Sequence, residues 1–234
     1  MKFAHIRMNK WILFYLFHSI YFNFKYLPFK QAIKLPILLY KPRFLELSGK
    51  VIIKGPIKTG MIQIGFFRVP LYPDTGCMLQ INGTICFNGR AKIGNDSKIV
   101  VSQTGTLTFG ENFNATSSLK IVCYKDITFD KNNLVGWDNM FMDYDFHKLT
   151  SVNYSGGVSK GYGTIHIGHD SWFANGCRTY KNVQIPAYTT ISANTILTKT
   201  PTNKEYCIIG SNATVDVKRE GLYHDYSDDK ISIN

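Results

Sequence analysis

The sequence of this 234-residue chain predicts an all-β solenoid, in which short strands wind into stacked coils. The first observation is a period of six between residues 167 and 197, where five of six repeated positions are large and apolar. A helix would repeat apolar residues at spacings of three and four, and an ordinary strand at two. A period of six instead indicates strands of about two to four residues joined by turns. The repeated positions are Ile167, Phe173, Thr179, Ile185, Ile191 and Leu197.

The second observation is that the same period occurs earlier in the chain. A unit of this size cannot bury its apolar side alone, so its copies must stack. Glycines at 83, 89 and 94 stand where tight corners need a positive φ or a close backbone approach. The upstream repeats are Ile81, Phe87, Ile93 and Ile99, then Leu107, Phe113 and Leu119 after a slip, and Ile121 and Ile127 in another phase.

The amino-acid composition indicates which binding partners and which cellular compartment to expect. Hydrophobic residues make up 44% and charged residues 18% of the chain, and the net charge is +11. This balance suits phosphates or an anionic membrane, while the lack of a long basic run or an RNA-binding signature disfavours nucleic acid. The five cysteines are odd in number, widely spread and without a CxxC pair, which predicts buried small side chains in a reducing compartment.

The pattern divides the chain into three parts. Residues 49–206 form the predicted β-helix domain, with a polar, glycine-rich excursion at 148–164. Residues 207–234 are predicted to leave the solenoid as a C-terminal strand and a polar tail. Residues 1–48 form an N-terminal apolar helical segment, with a helix over residues 11–24 and a second short segment near residues 31–40.

Two interpretations of the N-terminal segment stay open. Its apolar run of fourteen residues is shorter than the roughly 20 that span a bilayer, and no small-residue cleavage site follows it. The segment could pack on the solenoid end or on a partner subunit, as cationic aromatic helices do in other proteins. It could also lie on a membrane, with Lys25, Lys30 and Lys34 near the lipid head groups.

Three blocks of sequence, in matching order and spacing, resemble the hexapeptide-repeat acyltransferases. The blocks are FGENFNATSSLKIVCYKDITFDKNNLVGWDNMFMDYDFH at 109–147, IGHDSWFANG at 167–176, and ISANTILTKTP followed by CIIGSNATVDVKR. This family of left-handed parallel β-helices includes galactoside, maltose and xenobiotic O-acetyltransferases. The resemblance covers about residues 50–220 and supplies the handedness, which the periodicity does not reveal.

The resemblance places the catalytic histidine of the family at His147. Alternation in MDYDFH puts Asp143, Asp145 and His147 on one face if the segment is extended. Neutral imidazole can remove the proton of an alcohol near pH 7, and a carboxylate on its second ring nitrogen would stabilise the imidazolium. Asp145 or Asp143 could supply that carboxylate.

The other blocks imply a site for acetyl-coenzyme A. Asn175 matches a residue whose backbone N–H positions the thioester carbonyl, and such a donor can stabilise an oxyanion. Ala174 and Ser192 replace glycines of the family. The basic residues are candidates for the coenzyme A phosphates. The predicted cofactor-binding residues are Trp172, Ala174, Ser192, Ala193, Thr198, Lys199, Lys218 and Arg219.

A zinc site is the rival chemistry, because some hexapeptide β-helices, the gamma carbonic anhydrases, bind zinc through three histidines. Here His166 and His169 lie closer together than the HxxxxH spacing of that family, and a continuous strand would point them to opposite faces. We therefore expect both to be surface histidines at a coil corner, and no metal.

The sequence thus predicts an O-acetyltransferase that moves an acetyl group from acetyl-coenzyme A to a hydroxyl of a sugar or glycan precursor. The alternatives are N-acetylation of an amino sugar and a non-catalytic β-helix scaffold. The resemblance further implies a homotrimer with active sites between subunits. A cytoplasmic location is expected, with possible peripheral contact at the inner face of the cell membrane.

Overall fold

The computed structural model describes residues 10–147, 150–151, 154–157, 161–202, 204–210 and 216–220. Each coil passes through three sheets, which we call A, B and C. In the last coils Trp172 pairs with Thr190, Arg178 with Ile196 and Ile165 with Val183, so equivalent residues are eighteen apart. Eighteen is three hexads, and each hexad of the sequence is therefore one side of a coil.

The strands of each sheet follow one another along the coil stack and pair in parallel, apart from the last strand of sheet A. Within the described residues, sheet A contains β1 (Ile37–Leu39), β4 (Ile62–Phe66), β7 (Ala91–Gly94), β10 (Phe113–Ala115), β13 (Leu134–Val135), β18 (Trp172–Phe173), β21 (Thr189–Ile191), β23 (Cys207–Gly210) and the antiparallel β24 (Asp216–Glu220). Sheet B contains β2 (Pro42–Phe44), β5 (Cys77–Ile81), β8 (Ser97–Val101), β11 (Lys120–Cys123), β14 (Met140–Met142), β19 (Arg178–Tyr180) and β22 (Ile196–Leu197). Sheet C contains β3 (Lys50–Ile53), β6 (Thr84–Phe87), β9 (Thr106–Phe109), β12 (Asp126–Phe129), β17 (Thr164–Ile167) and β20 (Val183–Ile185).

The interior is filled by the residues that the hexad pattern selects. All six positions between 167 and 197 are buried, with at most 2% of their surface exposed. Along sheet C, Phe87, Phe109 and Phe129 form a column with ring centroids 5.2 and 5.8 Å apart. Burying each such ring contributes about 1.5–3 kcal/mol relative to exposure. The stacked coils thus share one continuous core.

The predicted glycine corners are confirmed mainly as close backbone approaches. A Cβ atom at Gly94 would overlap the carbonyl oxygen of Thr116, and one at Gly83 would overlap that of Ser102. Gly89 has a φ of +144°. Glycine is needed at the first two positions because neighbouring coils pass too close for any side chain.

The N-terminal segment covers the first coil. Helix α1 (Lys10–Tyr26) lies on β1, and α2 (Phe29–Ala32) follows it. The buried Asn23 side chain donates to Ile37 O at 2.7 Å and accepts from Ile37 N at 3.1 Å. Ser19 Oγ accepts from Leu39 N at 2.9 Å. These side chains pair with backbone N–H and C=O groups on the open edge of sheet A. The packing of this segment on the solenoid end is therefore confirmed.

Two predicted boundaries differ from the structure. The helical segment expected near residues 31–40 ends as a helix at Ala32, because Pro36 interrupts the chain and β1 follows it. The coil therefore begins at Ile37, before residue 49. At the other end β23 still pairs in parallel with β21, so the chain remains in the solenoid beyond residue 207. The tail from residue 221 lies outside the described residues.

Candidate active site

The excursion from the coil starts after β14 and ends before β17, at the corner between sheets B and C. It thus begins earlier than the predicted 148–164 and contains a short hairpin of β15 (Thr150–Ser151) and β16 (Tyr154–Gly157). At its base Gly163 N donates to Asp143 O at 2.9 Å, and Asp145 N donates to Gly161 O at 2.7 Å. These two bonds close the arms of the loop and fix the chain leading to His147.

Asp143 is a buried structural carboxylate. Its oxygens accept from the backbone N–H groups of Tyr124 at 2.6 Å, Lys125 at 2.8 Å and Asp126 at 2.9 Å. Burial raises the pKa of the Asp143 carboxyl, and the three backbone donors oppose that rise. The carboxylate therefore holds the turn of the preceding coil and is not the partner of His147.

His147 itself is exposed at the end of the described loop arm. The extended segment predicted for residues 142–147 does not continue that far, because β14 ends at Met142 and Phe146 adopts a left-handed φ of 63°. The His147 backbone N–H turns back to Asp145 O at 2.8 Å. Left-handed φ values recur in this chain, for example at Tyr188 and Tyr206, and at Phe146 the value ends the extended segment.

Asp145 has a different partner from the one expected. Its carboxylate forms an ion pair with Lys181 Nζ, from the next coil at the same corner. Sequence reasoning missed Lys181, although it lies eighteen residues before Lys199 and so one coil beneath it. Asp145 therefore ties the His147 loop to the solenoid, and its negative charge is shared with a lysine.

Four aromatic rings surround the base of this loop. Tyr124 and Tyr144 stack with centroids 4.2 Å apart, and Tyr162 lies 5.5 Å from Tyr124. Phe146 packs edge-on against Tyr144 at 5.1 Å and is 56% exposed. This cluster makes an apolar, partly exposed surface beside His147.

The predicted donor residues lie at the other end of sheet B, at the corner between sheets A and B. Asn175 and Ala193 occupy equivalent positions in successive coils. In the described part of the chain, neither backbone N–H donates to another group. Trp137, which sequence reasoning missed, holds the same corner position one coil earlier. The corner thus offers free N–H groups to a ligand.

Two of the predicted cofactor-binding residues have a backbone N–H that is already hydrogen-bonded. Ala174 N donates to Ile191 O at 2.9 Å, and Ser192 N donates to Ile209 O at 2.7 Å. The ladder of sheet A therefore uses the Ser192 amide, and a contact of Ser192 with coenzyme A stays a prediction. Ala174 can border a ligand only through its side chain.

The remaining predicted cofactor residues are spread over the coil. Trp172 points outward from β18 and is 36% exposed, directly before the corner that carries Asn175. Thr198 and Lys199 follow β22 and are exposed at the corner between sheets B and C. The backbones of Lys218 and Arg219 lie in β24, on the last edge of sheet A. The basic residues predicted to bind the coenzyme A phosphates are therefore not all close together within one chain.

His166 and His169 lie together on another face of the molecule. Strand β17 ends at Ile167, so the two side chains line one groove of about 400 Å³. His166 Nε2 is 3.1 Å from an Asp130 oxygen, and His169 Nδ1 is 2.7 Å from an Asp170 oxygen. The described residues contain no cluster of three or more histidine, cysteine or acidic side chains placed for a metal.

Cys77, Cys123, Cys177 and Cys207 are buried, and Cys86 is half-buried. Burial raises the pKa of Cys77 to about 12 and that of Cys177 to about 11, so these thiols stay protonated near neutrality.

Comparison with solved structures identifies the fold. The polySia-specific acetyltransferase NeuO matches with a TM-score of 0.61 and 14% identity, over 79% of this chain and 82% of that one. The polysialic acid O-acetyltransferase OatWY matches with a TM-score of 0.43 and 14% identity, over 79% and 88%. A mutant of AntD, an N-acyltransferase from Bacillus cereus in complex with dTDP and coenzyme A, matches with a TM-score of 0.38 and 12% identity. The match covers 83% of this chain and 90% of that one. Searches of family models and of curated proteins find no match. The predicted hexapeptide-repeat β-helix is confirmed.

Proposed function

We propose that this chain is a coenzyme A-dependent O-acetyltransferase that acts on a hydroxyl of a sugar or glycan precursor. The observation that carries the proposal is His147, an exposed imidazole on a loop whose base is closed by backbone bonds and by the Asp145–Lys181 ion pair. The similar fold of the polySia-specific acetyltransferase NeuO supports the same class of reaction.

In the proposed reaction, His147 removes the proton from the acceptor hydroxyl as its oxygen attacks the thioester carbonyl. The backbone N–H of Asn175 is the candidate donor to the carbonyl oxygen as it becomes negative. Collapse of the tetrahedral intermediate breaks the carbon–sulfur bond. The imidazolium of His147 then returns the proton to the thiolate of coenzyme A, so the enzyme ends in its starting state.

The two halves of this site lie at opposite ends of sheet B within one chain. The residues from Asn175 to Lys181 span about 20 Å when extended, whereas reacting atoms must approach to about 3–3.5 Å. We therefore propose that the His147 corner of one chain faces the Asn175 corner of another. A closed trimer would form three identical sites in this way, because its coils present three flat sides.

Acetyl-coenzyme A would then lie between two chains. The free N–H group of Ala193 fits an amide carbonyl of the pantetheine arm, and Trp172 precedes this corner on β18. Thr198 and Lys199 would come from the facing chain, and Lys199 is a candidate for a phosphate contact. Lys218 and Arg219 remain candidates through the position of β24 beside the last coils.

The acceptor surface is proposed to be the aromatic cluster beside His147, made of Tyr124, Tyr144, Phe146 and Tyr162. Partly exposed rings offer an apolar face to the C–H groups of a pyranose, while Asp145 and Lys181 offer polar groups at its edge. The free thiols of all five cysteines support a reducing compartment and hence a cytoplasmic location.

The acceptor chemistry is tested by incubating the full chain with acetyl-coenzyme A and a panel of neutral, acidic and amino sugars. A mass gain of one acetyl group that alkaline ester hydrolysis removes supports O-acetylation. A stable gain on amino sugars alone would indicate N-acetylation. No gain together with no coenzyme A binding would favour a scaffold protein.

The shared site is tested by mixing His147→Ala and Trp172→Ala chains in one oligomer. If the two residues of a site come from different chains, random mixing restores about one quarter of the parent activity, because both intact residues meet at one interface in four. If both act within one chain, the mixture shows no more than the average activity of the two variants measured separately. A fully active monomer in light scattering would contradict the trimer.

A further inference from the structure

The outer face of the N-terminal helices is a large exposed apolar surface. Phe17 is 70% exposed, Phe29 68% and Ile33 60%. Surfaces of this kind mark interaction sites when they are contiguous. The exposed side chains of this face are Leu16, Phe17, Ile20, Tyr21, Phe24, Phe29 and Ile33.

The opposite side of α1 is committed to the solenoid. Phe22 and Asn23 are buried, and Phe22 stacks on Phe44 of β2 at 5.9 Å. Helix α1 also contacts β1 and β3, so it covers the first strand of all three sheets. Among the described residues, the exposed side of the helices is therefore the end face of the coil stack.

The charge of this segment selects the partner. Residues 1–45 contain eight lysines and arginines and no aspartate or glutamate. Lys25, Lys30 and Lys34 are exposed beside the apolar face and form no ion pair with the described residues. Two copies of this face would bring like charges together, which disfavours self-association through it. Aromatic side chains flanked by lysines match an anionic lipid surface.

We propose that this end face, the outer sides of α1 and α2 with Lys25, Lys30 and Lys34, docks the protein onto an anionic membrane. The helices lie in the head-group region without crossing it. Among the described residues no helix has the length and apolar character that a bilayer crossing needs. This contact does not depend on the acyl-transfer chemistry.

Docking by this face sets the height of the active site. Asn175 follows β18, five strand steps from β1 along sheet A. At about 4.8 Å per step, the site lies roughly 24 Å above the membrane-facing end of the solenoid. A membrane-anchored acceptor must therefore extend upward to reach His147, which a glycan on a lipid carrier does and a bare lipid head group does not.

The test is sedimentation of the full chain with vesicles of phosphatidylcholine alone or with about one third phosphatidylglycerol. We expect binding to be about ten-fold or more tighter to the anionic vesicles. The double variant Phe17→Ser/Phe29→Ser should lose about ten-fold or more of that binding, and Lys30→Glu/Lys34→Glu should lose the preference for anionic lipid. Leu71→Ser is the matched control, because Leu71 is 74% exposed outside this face.

Equal binding by the parent and the phenylalanine variant would overturn the proposal, as would no vesicle binding by the parent. A parent oligomer that the phenylalanine variant dissociates would assign the face to a second copy instead. Thermal unfolding shows that each variant is folded, and acetyl transfer to a soluble acceptor should be unchanged in all of them. Loss of acetyl transfer in the parent chain would count against the proposed function and leave the docking result standing.

Discussion

Replacing His147 with alanine is expected to lower turnover strongly while leaving the stability of the fold almost unchanged. The side chain is exposed, and surface truncations of this kind usually change stability by about 0.5 kcal/mol or less. For a chain of this size the corresponding shift in melting temperature is below about 2 °C. Removal of a general base, by contrast, lowers turnover by about 10²–10⁴. That loss corresponds to about 2.7–5.4 kcal/mol of transition-state stabilisation.

Two further variants sharpen the comparison. His147→Gln keeps a polar side chain of similar size but cannot accept and return a proton, so we expect the same loss of turnover. His166→Ala removes another exposed histidine, on sheet C away from the loop, and should leave turnover at the parent level. The contrast tests the role of the imidazole at one position and not the effect of losing any surface histidine.

The assay measures release of free coenzyme A in the presence and absence of the acceptor found in the sugar panel. Coenzyme A binding is measured separately by calorimetry and should be close to normal in His147→Ala, because the proposed contacts with coenzyme A are made by other residues. Parent-level turnover in His147→Ala would refute the assignment of the base. So would an equal loss in His166→Ala, or a loss explained by unfolding.

Two other predictions concern the ends of the solenoid. Lys199→Ala should raise the Michaelis constant for acetyl-coenzyme A by up to about ten-fold with little change in turnover, since an exposed charge contact is screened by solvent. The parent should discriminate against dephospho-coenzyme A esters and the variant should not; equal discrimination would move the phosphate contact to Lys218 or Arg219. Asn23→Leu should lower the free energy of unfolding by about 2–4 kcal/mol, because it leaves the N–H and C=O of Ile37 without their partner. Chemical denaturation measures this change, and a loss below about 1 kcal/mol would mean that the edge is satisfied in another way.

The sequence alone determined the fold of this chain. The hexad positions from Ile167 to Leu197 are buried as predicted, and close backbone approach explains the glycines at 83 and 94. Each side of a coil directs its inward side chain at a fixed step of six residues, so the positions that become buried are periodic in the sequence. The boundaries were less well predicted, because β1 and β23 join the sheets through pairing with distant strands.

The arrangement of the candidate site was decided by tertiary structure. Alternation suggested that Asp145 faces His147, but Lys181 lies one coil away and takes that carboxylate, while the amides of Tyr124, Lys125 and Asp126 take Asp143. The amide of Ser192, a predicted cofactor-binding residue, bonds to Ile209 O because β23 pairs beside β21. These contacts join residues 17 to 36 apart. The excursion loop lengthens the offset between paired strands from 18 to 38 residues. Local periodicity carries no record of such offsets, because they depend on how many residues each coil inserts before it returns to its sheet.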